Sequence, residues 1–213
     1  ADVLLQAYGR AFSKKDDVTL IIKTFANPHN EIHRWLADER KGNPEFPDVE
    51  IIEEDFTDEQ LKALYEQCHV LVAPSRAEGF GLPMAEAMLS GLSVITTDWG
   101  GQTDFCTTEN AWLIDYSFQR ANTHLGIFSS VWAEPKVEHL TQLMLEVYQA
   151  PEQVRHEKAA IGKKLLEQNF RWCDAASRMI KAARDWSEKT ANSTLRTGWV
   201  TSWNTKCGIA SYS

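Results

Sequence analysis

Short apolar runs alternate along this chain with amphipathic helical stretches, and that alternation constrains the fold more than any other feature. The clearest instance is Val70-Leu-Val-Ala73, followed by Gly79-Phe-Gly81 and then by Pro83, which opens a helical run to Leu89. An apolar run of this length reads as a buried strand. Proline suits the first position of a helix because its missing N–H would have no partner there. Strand, glycine loop and helix start therefore follow one another. Repeated along the chain, that order predicts an α/β fold: a Rossmann-like parallel sheet with helices on both faces.

The other elements follow the same logic. Apolar residues at Val3, Leu4, Ala7, Tyr8 and Phe12 predict a helix from Asp2 to Phe12. Strands are expected at Val18–Lys23, Val49–Ile52, Ser93–Thr97 and Trp112–Asp115, and a helix at Glu31–Glu39. Thr57 with Gln60 has the spacing of a capping box for a helix from Asp58 to Gln67. Gly91 is placed to end the helix that Pro83 begins. Tyr116 to Ala133 reads as irregular. From Val137 to Lys189 the chain reads as helical, with breaks near Pro151 and near Phe170-Arg-Trp172. Residues 188–197 read as a linker, and 198–213 as a fresh strand and glycine loop opening a further α/β unit.

At 213 residues with 43% apolar content, the chain can bury one substantial domain. No run approaches the roughly 20 apolar residues of a membrane helix. A net charge of −8 argues against broad nucleic-acid binding but leaves room for a local anion site. Cys68, Cys106, Cys173 and Cys207 lack metal-ligand spacing and point to a reducing compartment. The six histidines are scattered, and His69 beside a strand reads as structural.

Ligands of parallel α/β sheets bind outside the carboxyl ends of the strands, where the loop after Ala73 lies. Gly79 and Gly81 allow close backbone approach, and the helix N-terminus suits a diphosphate. Glu86 could accept hydrogen bonds from paired ribose hydroxyls, and Glu78 could reach a sugar hydroxyl or the reacting centre. Spacing alone leaves a chance pairing of two glutamates equally open.

The segment from Ala73 to Gly101 resembles the signature of retaining glycosyltransferases of family 4, the glycosyl transferases group 1. The residues that carry the likeness are Glu78 and Glu86, Gly79-Phe-Gly-Leu-Pro83 and Thr97-Asp-Trp-Gly-Gly101. It continues through Asn110–Asp115 and Trp132–Pro135, to about Arg184. The resemblance implies the C-terminal, donor-binding half of a GT-B fold, spanning 1–187. A nucleotide sugar would be the substrate, with no cofactor and no metal. Glu78 would be the catalytic-site acid near the transferred sugar, as a positioning and electrostatic group. Glu86 would hold the ribose, and Gly79, Phe80, Gly81 and Leu82 would meet sugar and diphosphate. Ser75, Gly100, Gly101 and Asp104 are further candidates. Asp104 stands where the family usually carries a glutamate, and a structural cap is an equal reading for it.

By the same resemblance, the family's first strand and its Arg/Lys pair are missing. Gly9-Arg10 and Lys14-Lys15 imitate that pair but read as solvated surface. The expected partners are a nucleotide sugar, a saccharide or lipid-linked acceptor, the missing N-terminal domain and a neighbouring glycosyltransferase module in a tandem protein. The implied activity is transfer of a mannose- or glucose-type hexose to a polysaccharide or glycolipid, at a cytoplasmic location or peripherally at the inner membrane face. The chain alone is expected to be inactive. The competing readings are a non-catalytic nucleotide-sugar-binding or regulatory module, and a sugar-nucleotide epimerase or phosphorylase.

Overall fold

A computed structural model describes residues 2–121 and 130–190. Of the linker read over 188–197, residues 188–190 instead end the last helix; its remainder and the strand and loop read over 198–213 lie outside those residues, as does the middle of the stretch read as irregular. The chain divides into two compact units after Lys163.

The first unit carries all seven described strands. Helix α1 (Asp2–Ala11) leads to β1 (Thr19–Lys23), α2 (Ile32–Gly42) to β2 (Asp48–Ile52), and α3 (Asp58–Gln67) to β3 (Val70–Ala73). Helix α4 (Leu82–Leu89) leads to β4 (Ser93–Thr97), and a 3₁₀ turn at Gly101–Asp104 to β5 (Trp112–Ile114). Strands β6 (Tyr116–Arg120) and β7 (Val131–Pro135) and helices α5 (Val137–Gln149), α6 (Glu152–Asn169) and α7 (Trp172–Thr190) complete the series. The expected elements thus form within a few residues of where the apolar periodicity places them.

Helix boundaries follow local chemistry. Gln60 N–H donates to Thr57 Oγ1 at 3.3 Å, and Thr57 N–H to Gln60 Oε1 at 2.9 Å, completing the capping box of α3. Gly91, at φ +87°, follows the end of α4. Ala150-Pro151 separates α5 from α6, and Phe170-Arg171 separates α6 from α7.

The parallel strands form two sheets rather than one. Strand β1 pairs with β2, and β3, β4 and β5 pair in that order. Both sheets pack on one core. Leu20 and Ile22 of β1, Val49 and Ile51 of β2 and Val70 and Val72 of β3 meet Ile95, Trp112 and Ile114, together with the buried faces of α1 and α5. Among the described strands, only β4 is buried along its whole length. Strands β1 and β3 each keep one edge without a strand partner among the described residues, and their apolar side chains stay half-buried.

Tyr116–Ala133 corrects the sequence reading. Its two ends, β6 and β7, pair antiparallel, with Tyr116 opposite Pro135 and Arg120 opposite Val131. The alternation Tyr116, Phe118, Arg120 has period two, but no face is purely apolar, so hydropathy does not reveal a strand. The partner strand, not the local pattern, stabilises it.

In the second unit, α7 exposes Trp172, Met179, Ile180 and Trp186. Positions 172, 179 and 186 recur at helical spacing and define one apolar stripe. No helix among the described residues is long and apolar enough to cross a membrane.

Candidate functional site

The loop between β3 and α4 is built by short-range hydrogen bonds and by crossing glycines. Ser75 N–H donates to Ala73 O at 2.8 Å and turns the chain out of β3. Ser75 Oγ donates to Glu78 Oε1 at 2.9 Å and fixes the carboxylate over the loop. Gly81 then takes the left-handed conformation, at φ +90°, as the N-cap of α4. Its side of the helix end carries no side-chain cap. A chain with a Cβ at this position would be strained by its φ alone. The Cβ would also stand 2.7 Å from Gln102 Cβ.

A second loop, after β4, crosses the first at Glu78. Gly101 N–H donates to Glu78 O at 2.9 Å. A Cβ on Gly101 would overlap the carbonyl of Gly79, and one on Gly100 would come to 3.2 Å from Glu78 N. Gly100 and Gly101 are thus packed against the backbone of Glu78, Gly79 and Phe80, which leaves no room for a Cβ there. Ser75, Glu78, Gly79, Phe80, Gly81, Gly100 and Gly101, separated by up to 26 positions, come together at the carboxyl ends of β3 and β4. Phe80 and Leu82 are exposed, and the Phe80 ring lies 5.1 Å from that of Phe105. Asp104 ends the 3₁₀ turn and is exposed.

Glu86 lies one turn into α4, half-buried. Tyr65 of α3 donates its hydroxyl to Glu86 Oε2 at 3.4 Å. Burial raises the Glu86 carboxyl above its ordinary range; the Tyr65 hydrogen bond acts against this, and Asp58 adds to it. Burial, then the Glu86 charge, pushes Tyr65 up to about 12. Glu86 is therefore an acceptor held in a partly dry setting, suited to donors that replace lost water.

Two residues in the site escaped the sequence reading. Gln102 is fully buried beneath the crossing, and its Nε2 donates to Thr97 O at 2.9 Å and Trp99 O at 2.8 Å. A polar side chain beside two glycines was the available signal. Arg76 donates from Nε and Nη2 to both oxygens of Glu134 at 2.7 Å, and from Nη1 and Nη2 to Asp2 at 3.0 and 2.7 Å. Its guanidinium lies 4.8 Å from the Trp132 ring centroid, and its carbonyl accepts from Ala133 N–H at 3.1 Å. The bonds to Glu134 and Asp2 raise the Arg76 pKa. Arg76 thus ties the Glu78 loop to α1 and β7, and its charge is spent on that task. Arg10 and Lys14 are engaged at the surface, with Glu138 and Pro44 O, in agreement with their reading as solvated.

Arg76→Met is expected to lower stability by about 2–4 kcal/mol, because it leaves Glu134 half-buried without its cation. Thermal unfolding measures this. Burial opposes ionisation of Asp2, but the Arg76 hydrogen bond and charge outweigh it and hold the carboxyl at about 2. A depressed acid stabilises the fold above its unfolded pKa. That contribution is lost as pH falls from the ordinary carboxylate range toward about 2. The acid limb of the stability curve should therefore flatten in Arg76→Met.

The glycosyl transferases group 1 family matches residues 1–121, more than half of the chain. The GtfA subunit of a UDP-N-acetylglucosamine–peptide N-acetylglucosaminyltransferase from Limosilactobacillus reuteri subsp. suis is 38% identical over 65 residues, which cover 30% of this chain and 13% of that protein. Anabaena HepE in complex with UDP and glucose superposes with a TM-score of 0.65 at 16% identity, over 86% of this chain and 44% of its own. An α,α-trehalose 6-phosphate synthase from Burkholderia multivorans gives 0.67 at 12% identity, over 93% and 42%. The chain thus spans about an eighth of that relative and less than half of either structure, and the structures share its fold. With a α/β architecture of this kind and the group 1 match across its strand–loop–helix segment, the chain belongs to the glycosyl transferases group 1 family.

Proposed function

We propose that this chain is the donor-binding portion of a retaining glycosyltransferase that moves a hexose from a nucleotide sugar to a saccharide or lipid-linked acceptor. The observation that carries the reading is the crossing of the two glycine loops on Glu78, with Glu86 one turn into the adjoining helix. The diphosphate would meet the N-terminal end of α4, whose dipole favours negative charge. Glu86 would accept from the two ribose hydroxyls. Glu78, oriented by Ser75, would face the transferred sugar.

In the reaction, an acceptor hydroxyl attacks the anomeric carbon on the face from which the diphosphate leaves. The C–O bond to the acceptor forms as the bond to the diphosphate breaks. The hydroxyl proton passes to a diphosphate oxygen, and the anomeric configuration is kept. Glu78 stabilises positive charge that develops on the sugar ring. Glucose- and mannose-type donors are the first candidates, and UDP is the first nucleotide to test, because the names of the relatives carry it. Residues beyond this chain would supply the diphosphate's cations and the acceptor domain, and the apolar stripe of α7 is suited to meet another domain.

The test is turnover by the full-length protein with UDP-glucose, UDP-N-acetylglucosamine, GDP-mannose and ADP-glucose, with the product anomer read by proton NMR. Transfer with retention is expected, reduced at least about a hundredfold in Glu78→Ala, as for loss of an electrostatic group at a reacting centre. Inversion, or full turnover in Glu78→Ala, would overturn the reading.

A further inference from the structure

Trp99, in the loop after β4, and Tyr116 and Phe118 of β6 form one aromatic cluster, and the Trp99 and Phe118 rings are exposed. Trp99 and Phe118 pack edge-to-face with centroids 4.8 Å apart. Tyr116 supports both, at 5.8 Å from Trp99 and 5.3 Å from Phe118. Trp99 is 44% exposed and Phe118 55%. The strand period puts Tyr116, Phe118 and Arg120 on one face of β6. Leaving a tryptophan and a phenylalanine to water forgoes burial that the fold could have used. Adjoining exposed aromatic rings are a candidate ligand face.

Its position narrows the ligand. Trp99 lies two residues past the carboxyl end of β4, and it immediately precedes Gly100, where a Cβ would stand 3.2 Å from Glu78 N. The face therefore continues the candidate site on the side of Glu78. Glu86 is reached instead from α3, which leads into β3, whereas the aromatic face follows from β4 and β5. If Glu86 holds the nucleotide, the rings stand toward the sugar. Exposed Asp98 precedes Trp99 in the chain, and exposed Arg120 shares a face of β6 with Phe118; both offer partners for hydroxyl groups. An aromatic face with polar groups at its rim matches a pyranose, which presents C–H bonds on one face and hydroxyls around its edge.

We propose that Trp99 and Phe118, supported by Tyr116, form a stacking platform for a pyranose ring of the acceptor saccharide. This rests on the donor-site reading above. Such a platform orients the acceptor without contacting the anomeric carbon, so it sets acceptor affinity and specificity and leaves donor binding untouched.

Saturation-transfer NMR on the full-length protein tests it, with methyl α-D-glucopyranoside, methyl α-D-mannopyranoside and maltotriose as saccharide probes and UDP as a separate probe. At least one saccharide should bind. Trp99→Ala should weaken it about tenfold and Phe118→Ala about threefold, while Trp99→Phe restores most of the loss. UDP binding should be unchanged in all three variants, which also shows that they are folded. Absence of saccharide binding to the unaltered protein, unchanged saccharide affinity in Trp99→Ala, or loss of UDP instead of saccharide would overturn the proposal. So would a protein partner bound to this face that displaces no saccharide. If saccharide binding depends on Trp99 but UDP does not bind at all, the platform stands and the donor-site reading falls.

Discussion

Glu86→Ala should weaken nucleoside diphosphate binding by about ten- to a hundredfold, because hydrogen bonds to a charged acceptor contribute about 1.5–3 kcal/mol. Calorimetry on the full-length protein measures it. The ribose diol offers two donors to one carboxylate, and α4 holds that carboxylate beside Tyr65. The fold should not suffer. Burial raises the Glu86 pKa, so the folded state favours the protonated acid. The folded protein then binds more protons than the unfolded chain between the two pKa values, and stability falls as pH rises through that window. Above it, ionised Glu86 is a cost, and Glu86→Ala should unfold no earlier than the unaltered protein at neutral pH. The same shift acts on binding. As pH falls, nucleotide affinity should decline at a higher pH than an ordinary glutamate would impose. A site that costs stability and confers binding is the pattern expected of a functional acid rather than a structural one.

Gly101→Ala should disturb both the fold and the site. The added methyl group meets the Gly79 carbonyl and comes to 2.9 Å from Phe80 Cα. Backbone cannot rotate away as a side-chain tip can. One loop must move, and the bond from Gly101 N–H to Glu78 O goes with it. A loss of about 2–4 kcal/mol is expected, or roughly 5–15 °C in Tm. Transfer should fall with it, because Glu78 is positioned through that crossing. Gly42→Ala is the matched control. It ends α2 with nothing within 4 Å of a Cβ, so it should hold or gain stability. Equal Tm values for the two variants would show that the crossing is not rigid.

The sequence reading recovered what local chemistry decides. The order of strands and helices, the Thr57–Gln60 capping box and the strand–glycine–helix segment all follow from neighbours within a few residues. The grouping of Gly100 and Gly101 with Glu78 came from the family resemblance, and the structure gives its reason in backbone contact. What escaped depends on residues far apart. Arg76 meets Glu134 and Asp2 across 58 and 74 positions, and nothing in Ser75-Arg-Ala announces those partners. Strand β6 is held by β7 rather than by an apolar face of its own. Gln102 looks like a turn residue until Gly81, Gly100 and two carbonyls close around it. The division of the parallel strands into two sheets is also non-local, since each strand reads alike whether or not its far edge is paired.

A crystal structure of the full-length protein with a bound nucleotide sugar tests the central claim most directly. The ribose hydroxyls should lie within hydrogen-bond distance of Glu86, with the diphosphate at the start of α4 and the hexose facing Glu78. A nucleotide bound elsewhere, with the Glu78–Glu86 segment untouched, would contradict it.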